Sequence, residues 1–125
     1  MPIPRRPEGW HSLTPRIVTD DVAGLVSFLR DVFAATGEVE SGRPTVLRIG
    51  DSHAMISATG PRPATAAFLY AYVDDADATH ARAVELGARS LEAPGDTPYG
   101  DRRGMIEDRW GNVWQIATYR VPVPR

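Results

Sequence analysis

The sequence contains no cysteine, which excludes a disulfide framework, a thiolate nucleophile and a cysteine-ligated metal. Lysine is absent too: all fourteen basic residues are arginine. With abundant alanine, glycine and proline, this pattern reads as coding bias, so an arginine must be argued functional from its geometry. A net charge of −2 supplies no basic field and argues against a nucleic-acid partner. No run approaches the roughly 18 apolar residues of a membrane span, and the opening Met-Pro-Ile-Pro-Arg-Arg-Pro-Glu-Gly lacks a signal peptide's hydrophobic stretch. The expectation is a soluble, cytoplasmic protein with no membrane partner. No Ser-His-Asp order, phosphate loop, His-Glu-x-x-His or Gly-x-Gly-x-x-Gly is present, so no motif announces catalysis.

What is present is a repeat. His11 to Thr19 reads as a strand, with Pro15 marking an edge or bulge. Thr19 or Asp20 can cap a helix whose apolar residues Val22, Leu25, Val26, Leu29, Val32 and Phe33 follow helical spacing. Gly37 should end it, and 38–41, 45–49 and 53–58 read as strands, the last two joined at Gly50-Asp51. After Gly60-Pro-Arg-Pro63 the order restarts: a strand from Ala67 to Val73, a helix capped by Asp74 or Asp75 and ended at Gly87, then strands at 89–92, 103–108 and 113–119. Val18-Thr-Asp-Asp21 and Val73-Asp-Asp-Ala76 repeat one strand-to-cap junction about 55 residues apart. The fold class is therefore α+β, two tandem β-α-β-β-β modules, 10–59 and 67–119, within one domain spanning 10–120. The proline-rich ends 1–9 and 120–125 should be extended.

The stretch from Gly100 to Tyr119 reads as a hairpin. Gly111-Asn112 places glycine at the first central position of a type II′ turn. Beyond it Val113, Gln115, Ala117 and Tyr119 share one face, and Trp114, Ile116 and Thr118 the other. A glutamine among apolar neighbours suits a cavity wall better than a dry core.

Thr14-Pro-Arg-Ile-Val-Thr-Asp-Asp, Gly50-Asp-Ser-His-Ala-Met-Ile-Ser, Val73-Asp-Asp, Glu85-Leu-Gly-Ala88, Tyr99-Gly-Asp-Arg-Arg-Gly and Asp108-Arg-Trp-Gly-Asn-Val-Trp-Gln, in that order, resemble the vicinal oxygen chelate superfamily. That superfamily includes glyoxalase I, bleomycin-resistance proteins, fosfomycin-resistance enzymes and extradiol dioxygenases. The resemblance covers roughly residues 10–119. It implies a curved, partly closed eight-stranded barrel around a cavity, commonly in a homodimer. In many members His or Gln from a module's first strand and Glu from its last hold a divalent metal. The matching positions here are Thr14, Ser57, Phe68 and Gln115. Phenylalanine cannot ligate and the hydroxyls are poor ligands, so the expectation is no metal and no cofactor.

Phe68, Tyr70 and Tyr72 share one face of their strand and suit a flat, amphipathic ligand, or alternatively ordinary barrel filling. If their face meets that of Val113, Gln115 and Tyr119, Gln115 orients the ligand. Thr14, Arg16, Ser57 and Arg102 complete the candidate lining, the arginines as anion forks or as salt-bridged surface residues. His53 could be a general base or a solvated residue beside the Gly50-Asp51 turn, and Glu107 is the other candidate acid or base. His11 and His80 read as surface residues, Asp108 as a turn cap and Trp110 as a turn-edge packing residue. The leading expectation is a metal-free protein that binds a small, partly aromatic molecule in the barrel cavity. The alternative is an enzyme on this scaffold: a glyoxalase-like lyase or isomerase or a dioxygenase with an unconventional metal site, or an acid–base catalyst using His53, Tyr70 or Glu107. A third is a structural dimer module without a ligand.

Overall fold

Two aspartate-capped helices and two sheets, of three and four strands, make up the computed structural model, which describes residues 3–120. The C-terminal segment 121–125, expected to be extended, lies outside the described residues. The chain divides into two compact units, Met1–Thr65 and Ala66–Arg125.

The first unit runs β1 (Arg16–Thr19), α1 (Val22–Phe33), β2 (Thr45–Ile49), β3 (Ser52–Ala58), with sheet order β1-β3-β2. β1 pairs parallel and β2 antiparallel with β3. β1 is shorter than the sequence suggests because Pro15 has no N–H to donate; its carbonyl still accepts from Met55 N at 2.9 Å. α1 is capped by Asp21, whose carboxylate accepts from Gly24 N at 3.1 Å, and not by Thr19 or Asp20. Thr19 instead accepts from Asp21 N at 3.2 Å and so fixes the cap. The helix ends at Ala34, left-handed at φ 55, with Ala35 N donating to Leu29 O at 3.3 Å. The helix thus closes on a left-handed residue three positions before Gly37. Twelve residues are marginal as an isolated helix. Burial of Leu25, Val26, Phe28, Leu29, Val32 and Phe33, each worth roughly 1.5–3 kcal/mol, stabilises it.

The strand expected at 38–41 does not form: Thr36 alone makes a bridge, to Arg48. Gly42 turns the chain at φ 78 and Pro44 removes a donor, so the segment cannot extend a ladder into β2. The described residues therefore contain seven strands where eight were expected. The turn at Gly50-Asp51 links β2 and β3 directly, with Gly50 at φ 58 and Asp51 outside the left-handed region, the pattern of a type II′ turn.

The second unit holds the full repeat: β4 (Phe68–Tyr72), α2 (Ala76–Glu85), β5 (Arg89–Asp96), β6 (Asp101–Glu107), β7 (Val113–Tyr119), in sheet order β4-β7-β6-β5. β4 and β7 are parallel, the other pairs antiparallel. Asp75 caps α2, accepting from Ala78 N at 3.1 Å. His80, expected at the surface, is buried against the sheet and shares a hydrogen bond of 3.0 Å with Ser90 Oγ. Its ring lies where a side chain at Gly104 would be, so the glycine makes the space.

The β6–β7 connection also departs from expectation. It is not a two-residue turn at Gly111-Asn112 but a loop closed by Asp108 N donating to Asn112 O at 2.9 Å, with an inner turn in which Gly111 N donates to Asp108 O at 3.2 Å. Gly111, at φ 87, is the left-handed residue after a type I turn. The buried Asp108 carboxylate accepts from Trp110 N, Asn112 N, Asn112 Nδ2 and Trp114 Nε1 at 2.9–3.3 Å. Asp108 is thus the turn cap, and Asn112 Oδ1 ties the loop to the start of β4 by accepting from Ala67 N at 2.9 Å.

Candidate functional site

Strand register builds a polar and aromatic face on the second unit. Tyr70, Gln115 and Met105 form one row across β4, β7 and β6. Phe68, Val113 and Glu107 form the row on one side of it, and Tyr72, Ala117 and Arg103 the row on the other. Tyr119 pairs with Asp101 in a fourth row. Because side chains alternate, these residues project from the sheet face opposite the one carrying Leu69, Trp114, Ile116 and Ile106. The two sides contrast sharply: Phe68 is 68% exposed, Tyr72 53% and Tyr119 52%, whereas Trp114 and Ile116 are buried. Phe68, Tyr70, Tyr72, Gln115 and Tyr119 are thus brought together, but side by side on one face and not as two faces meeting.

At one end of this face lies a group that sequence reasoning did not single out. Asp101, 1% exposed, accepts from Tyr70 Oη at 2.6 Å and Tyr72 Oη at 2.8 Å. Its backbone N–H is held by Thr97 Oγ1 at 3.0 Å. Arg103 donates to Tyr99 Oη at 2.8 Å and to Glu92 at 3.0 Å, and the Tyr70 and Tyr99 hydroxyls lie 3.3 Å apart. Although Tyr70 is 38% exposed, partial burial and then the hydrogen bond to Asp101 raise its pKa above the ordinary value. The phenol therefore stays protonated, which removes Tyr70 as a general base. The Tyr70 and Tyr72 rings, with centroids 5.4 Å apart and tilted by 57°, open as a V from that shared carboxylate. The signal in the sequence was the alternation Asp101, Arg103, Met105, Glu107, legible only once β6 is known to pair with β7 in this register.

The remaining candidates are placed elsewhere or already engaged. Arg102 projects from the helix side of β6, where it forms a forked pair with Asp77 of α2 at 3.0 and 3.2 Å and reaches Asp96 at 3.5 Å. That hydrogen bonding lowers the pKa of Asp77 and raises that of Arg102. Arg102 is an anchor between helix and strand and not part of the aromatic face. Glu107 is paired with Arg89. In the first unit, Arg16 Nε donates to Ser57 Oγ at 3.0 Å across the β1–β3 pair, while Thr14 precedes β1. His53 is stacked on Trp10, with centroids 4.1 Å apart and planes within 3°. Its imidazole serves as the platform for the segment before β1 and is not a solvated residue beside the turn.

The repeated strand–helix–strand order, the parallel β1–β3 and β4–β7 pairs and the capped junctions define a vicinal-oxygen-chelate type of fold. The chain belongs to the Glyoxalase/Bleomycin resistance protein/Dioxygenase superfamily, whose model matches residues 11–116. It is 29% identical over 127 residues to an uncharacterized Mycobacterium bovis protein, Mb0911c, covering 85% of this chain and 82% of that one. Among solved structures, TioX from Micromonospora sp. ML1 superposes with a TM-score of 0.74 at 21% identity, covering 87% of this chain and 98% of TioX. A glyoxalase/bleomycin resistance protein/dioxygenase family enzyme from Burkholderia phytofirmans PsJN gives 0.72 at 22% identity, covering 83% and 94%. These likenesses support the fold.

The metal that many relatives hold does not fit the donors found here. Phe68 has no donor atom. Ser57 Oγ accepts from Arg16 Nε, which sets a fixed positive charge beside it. Gln115 alone is a neutral oxygen donor, and among the described residues no three of His, Asp and Glu gather.

Proposed function

We propose that the protein binds a small, partly aromatic molecule on the Phe68–Tyr70–Tyr72–Gln115–Tyr119 face without a metal. The observation that carries this reading is the contiguous aromatic exposure on one sheet face, bordered by the buried Asp101 and centred on the half-buried Gln115 amide. Contiguous apolar exposure in a folded protein marks a binding surface, whereas scattered single residues do not. Of the acid–base candidates, Glu107 is paired with Arg89 and the Tyr70 hydroxyl donates to Asp101, which favours binding over catalysis.

Gln115→Leu is expected to weaken a polar aromatic ligand by about 1–3 kcal/mol, the cost of an unmet hydrogen bond, while leaving the melting temperature nearly unchanged. The measurement is calorimetric titration with aromatic acids, quinones and planar antibiotics, repeated after dialysis against a chelator. If no member of the panel binds, and Gln115→Leu and Tyr70→Phe each lose several degrees in melting temperature, these residues are packing. If binding vanishes with the chelator and returns with a divalent ion, the metal-free reading is wrong.

The assembly we propose is a homodimer. β1 and β2 border one sheet and β4 and β5 the other, leaving ladder edges that a two-fold partner can cover. Light scattering at about 20–50 µM should give twice the chain mass, and a monomer mass there counts against it.

A further inference from the structure

The middle row of the aromatic face points to the chemistry of its ligand, and we infer that the protein recognises a flat lactam or primary carboxamide, a molecule presenting an N–H and a C=O side by side on one edge. The inference rests on the binding reading above and names the group that Gln115 holds. Gln115 lies between Tyr70 on β4 and Met105 on β6. It is half-buried, and its amide makes no hydrogen bond to any described residue.

The surroundings explain why that amide has no partner. Val113 and Ala117, its neighbours on the same face of β7, carry no polar side-chain atoms. Met105 offers only a thioether, and the Tyr70 hydroxyl gives its proton to Asp101 at 2.6 Å. Partly removed from water and unmatched within the described residues, the amide gains most from a ligand that satisfies both of its ends at once.

A side-chain amide carries an acceptor and a donor on neighbouring atoms, so its complement is an N–H and a C=O held cis to each other. Lactams and primary carboxamides meet that condition. An open-chain secondary amide does not, because its trans geometry sends the two groups to opposite sides. The pairing holds whichever way the Gln115 amide is turned, since the ligand can turn with it. A carboxylate would satisfy only the NH₂ group and set its charge against the Gln115 oxygen, and an ammonium would satisfy only the oxygen. The ionic side chains of the adjoining rows are paired, Glu107 with Arg89 and Arg103 with Glu92, so neither pair supplies a free counter-charge. Flatness follows from the flanks: Phe68, 68% exposed, offers a ring on one side, and Met105 a polarisable thioether that conforms to an aromatic ligand.

The test is calorimetric titration of the full chain with the lactam isoquinolone, its N-methyl derivative and the lactone isocoumarin, flat bicyclic molecules that share a carbonyl while only the first adds an N–H. Isoquinolone should bind about tenfold more tightly than either of the others, the effect of one hydrogen bond and of a Gln115 oxygen otherwise left unmet. This comparison uses the wild-type chain, so it does not depend on the folding of a variant. Gln115→Leu should weaken isoquinolone about thirtyfold and isocoumarin about threefold, which brings the two to similar affinity. Phe68→Ala, a change at an exposed ring, should weaken all three alike by about fivefold. Isocoumarin binding as tightly as isoquinolone, or a preference for isoquinolone that survives in Gln115→Leu, overturns the lactam assignment. If none of the three binds but an aromatic acid, quinone or planar antibiotic does, only this assignment falls. If nothing binds at all, both this inference and the binding reading fall.

Discussion

Asp108→Ala is expected to lower the unfolding free energy by about 3–5 kcal/mol, the largest effect of any single substitution considered. The carboxylate is buried, and its desolvation is offset by donors from Trp110, Asn112 and Trp114. Deleting it strands those donors in a loop with little access to water, and each unsatisfied group costs about 1–3 kcal/mol. The effect should spread to β4, because Asn112, positioned by Asp108, holds Ala67 N. Asp108→Asn keeps one acceptor oxygen and should lose about half as much. Urea unfolding with a common slope measures both. A loss below about 1 kcal/mol for the alanine variant would show that the loop re-forms its bonds with water, contrary to the burial seen here.

Asp101→Leu is expected to cost about 2–3 kcal/mol. Hydrogen bonds to a charged group contribute about 1.5–3 kcal/mol each, and two tyrosines share this carboxylate. The full sum is not expected, since both phenols are exposed enough to turn to water when the acceptor is removed. The pH dependence carries a definite sign. The folded pKa of Tyr70 is raised, so its contribution is fully present below the unfolded value of about 10 and is lost as pH rises toward the folded value. The stability difference between wild type and Tyr70→Phe should therefore be constant from pH 7 to 9 and shrink above about pH 10. A difference that shrinks between pH 7 and 9 would mean that the phenol is not held protonated by Asp101.

Much of the fold was legible because it rests on local chemistry. The stripe from Leu25 to Phe33 obeys helical spacing, Asp75 is a strong cap, and the alternation from Val113 to Tyr119 places Trp114 and Ile116 inward. The misreadings occurred where two local signals compete. Gly37 and Ala34 both lie near the end of α1, and the closing bond to Leu29 selects Ala34 although alanine is the poorer left-handed residue. Gly111-Asn112 carries the mark of a two-residue hairpin, but Asp108 recruits the backbone and side chain of Asn112 and enlarges the loop. Glu38 to Ser41 has strand composition, but Gly42 and Pro44 deny it a partner.

The amino-acid sequence by itself determined the repeated strand–helix–strand order, the family resemblance, the inward and outward faces of β4 and β7, and the poverty of metal donors, because each follows from residue type and spacing along one strand or helix. Only the tertiary structure decided which outward residues lie together. Register sets Tyr70 beside Gln115, and brings Asp101, 31 residues away in sequence, under two tyrosine hydroxyls. It also turns Arg102 away to Asp77 and places His53 beneath Trp10. These partnerships depend on pairing between distant segments, which a one-residue slip would reverse and which no local spacing encodes.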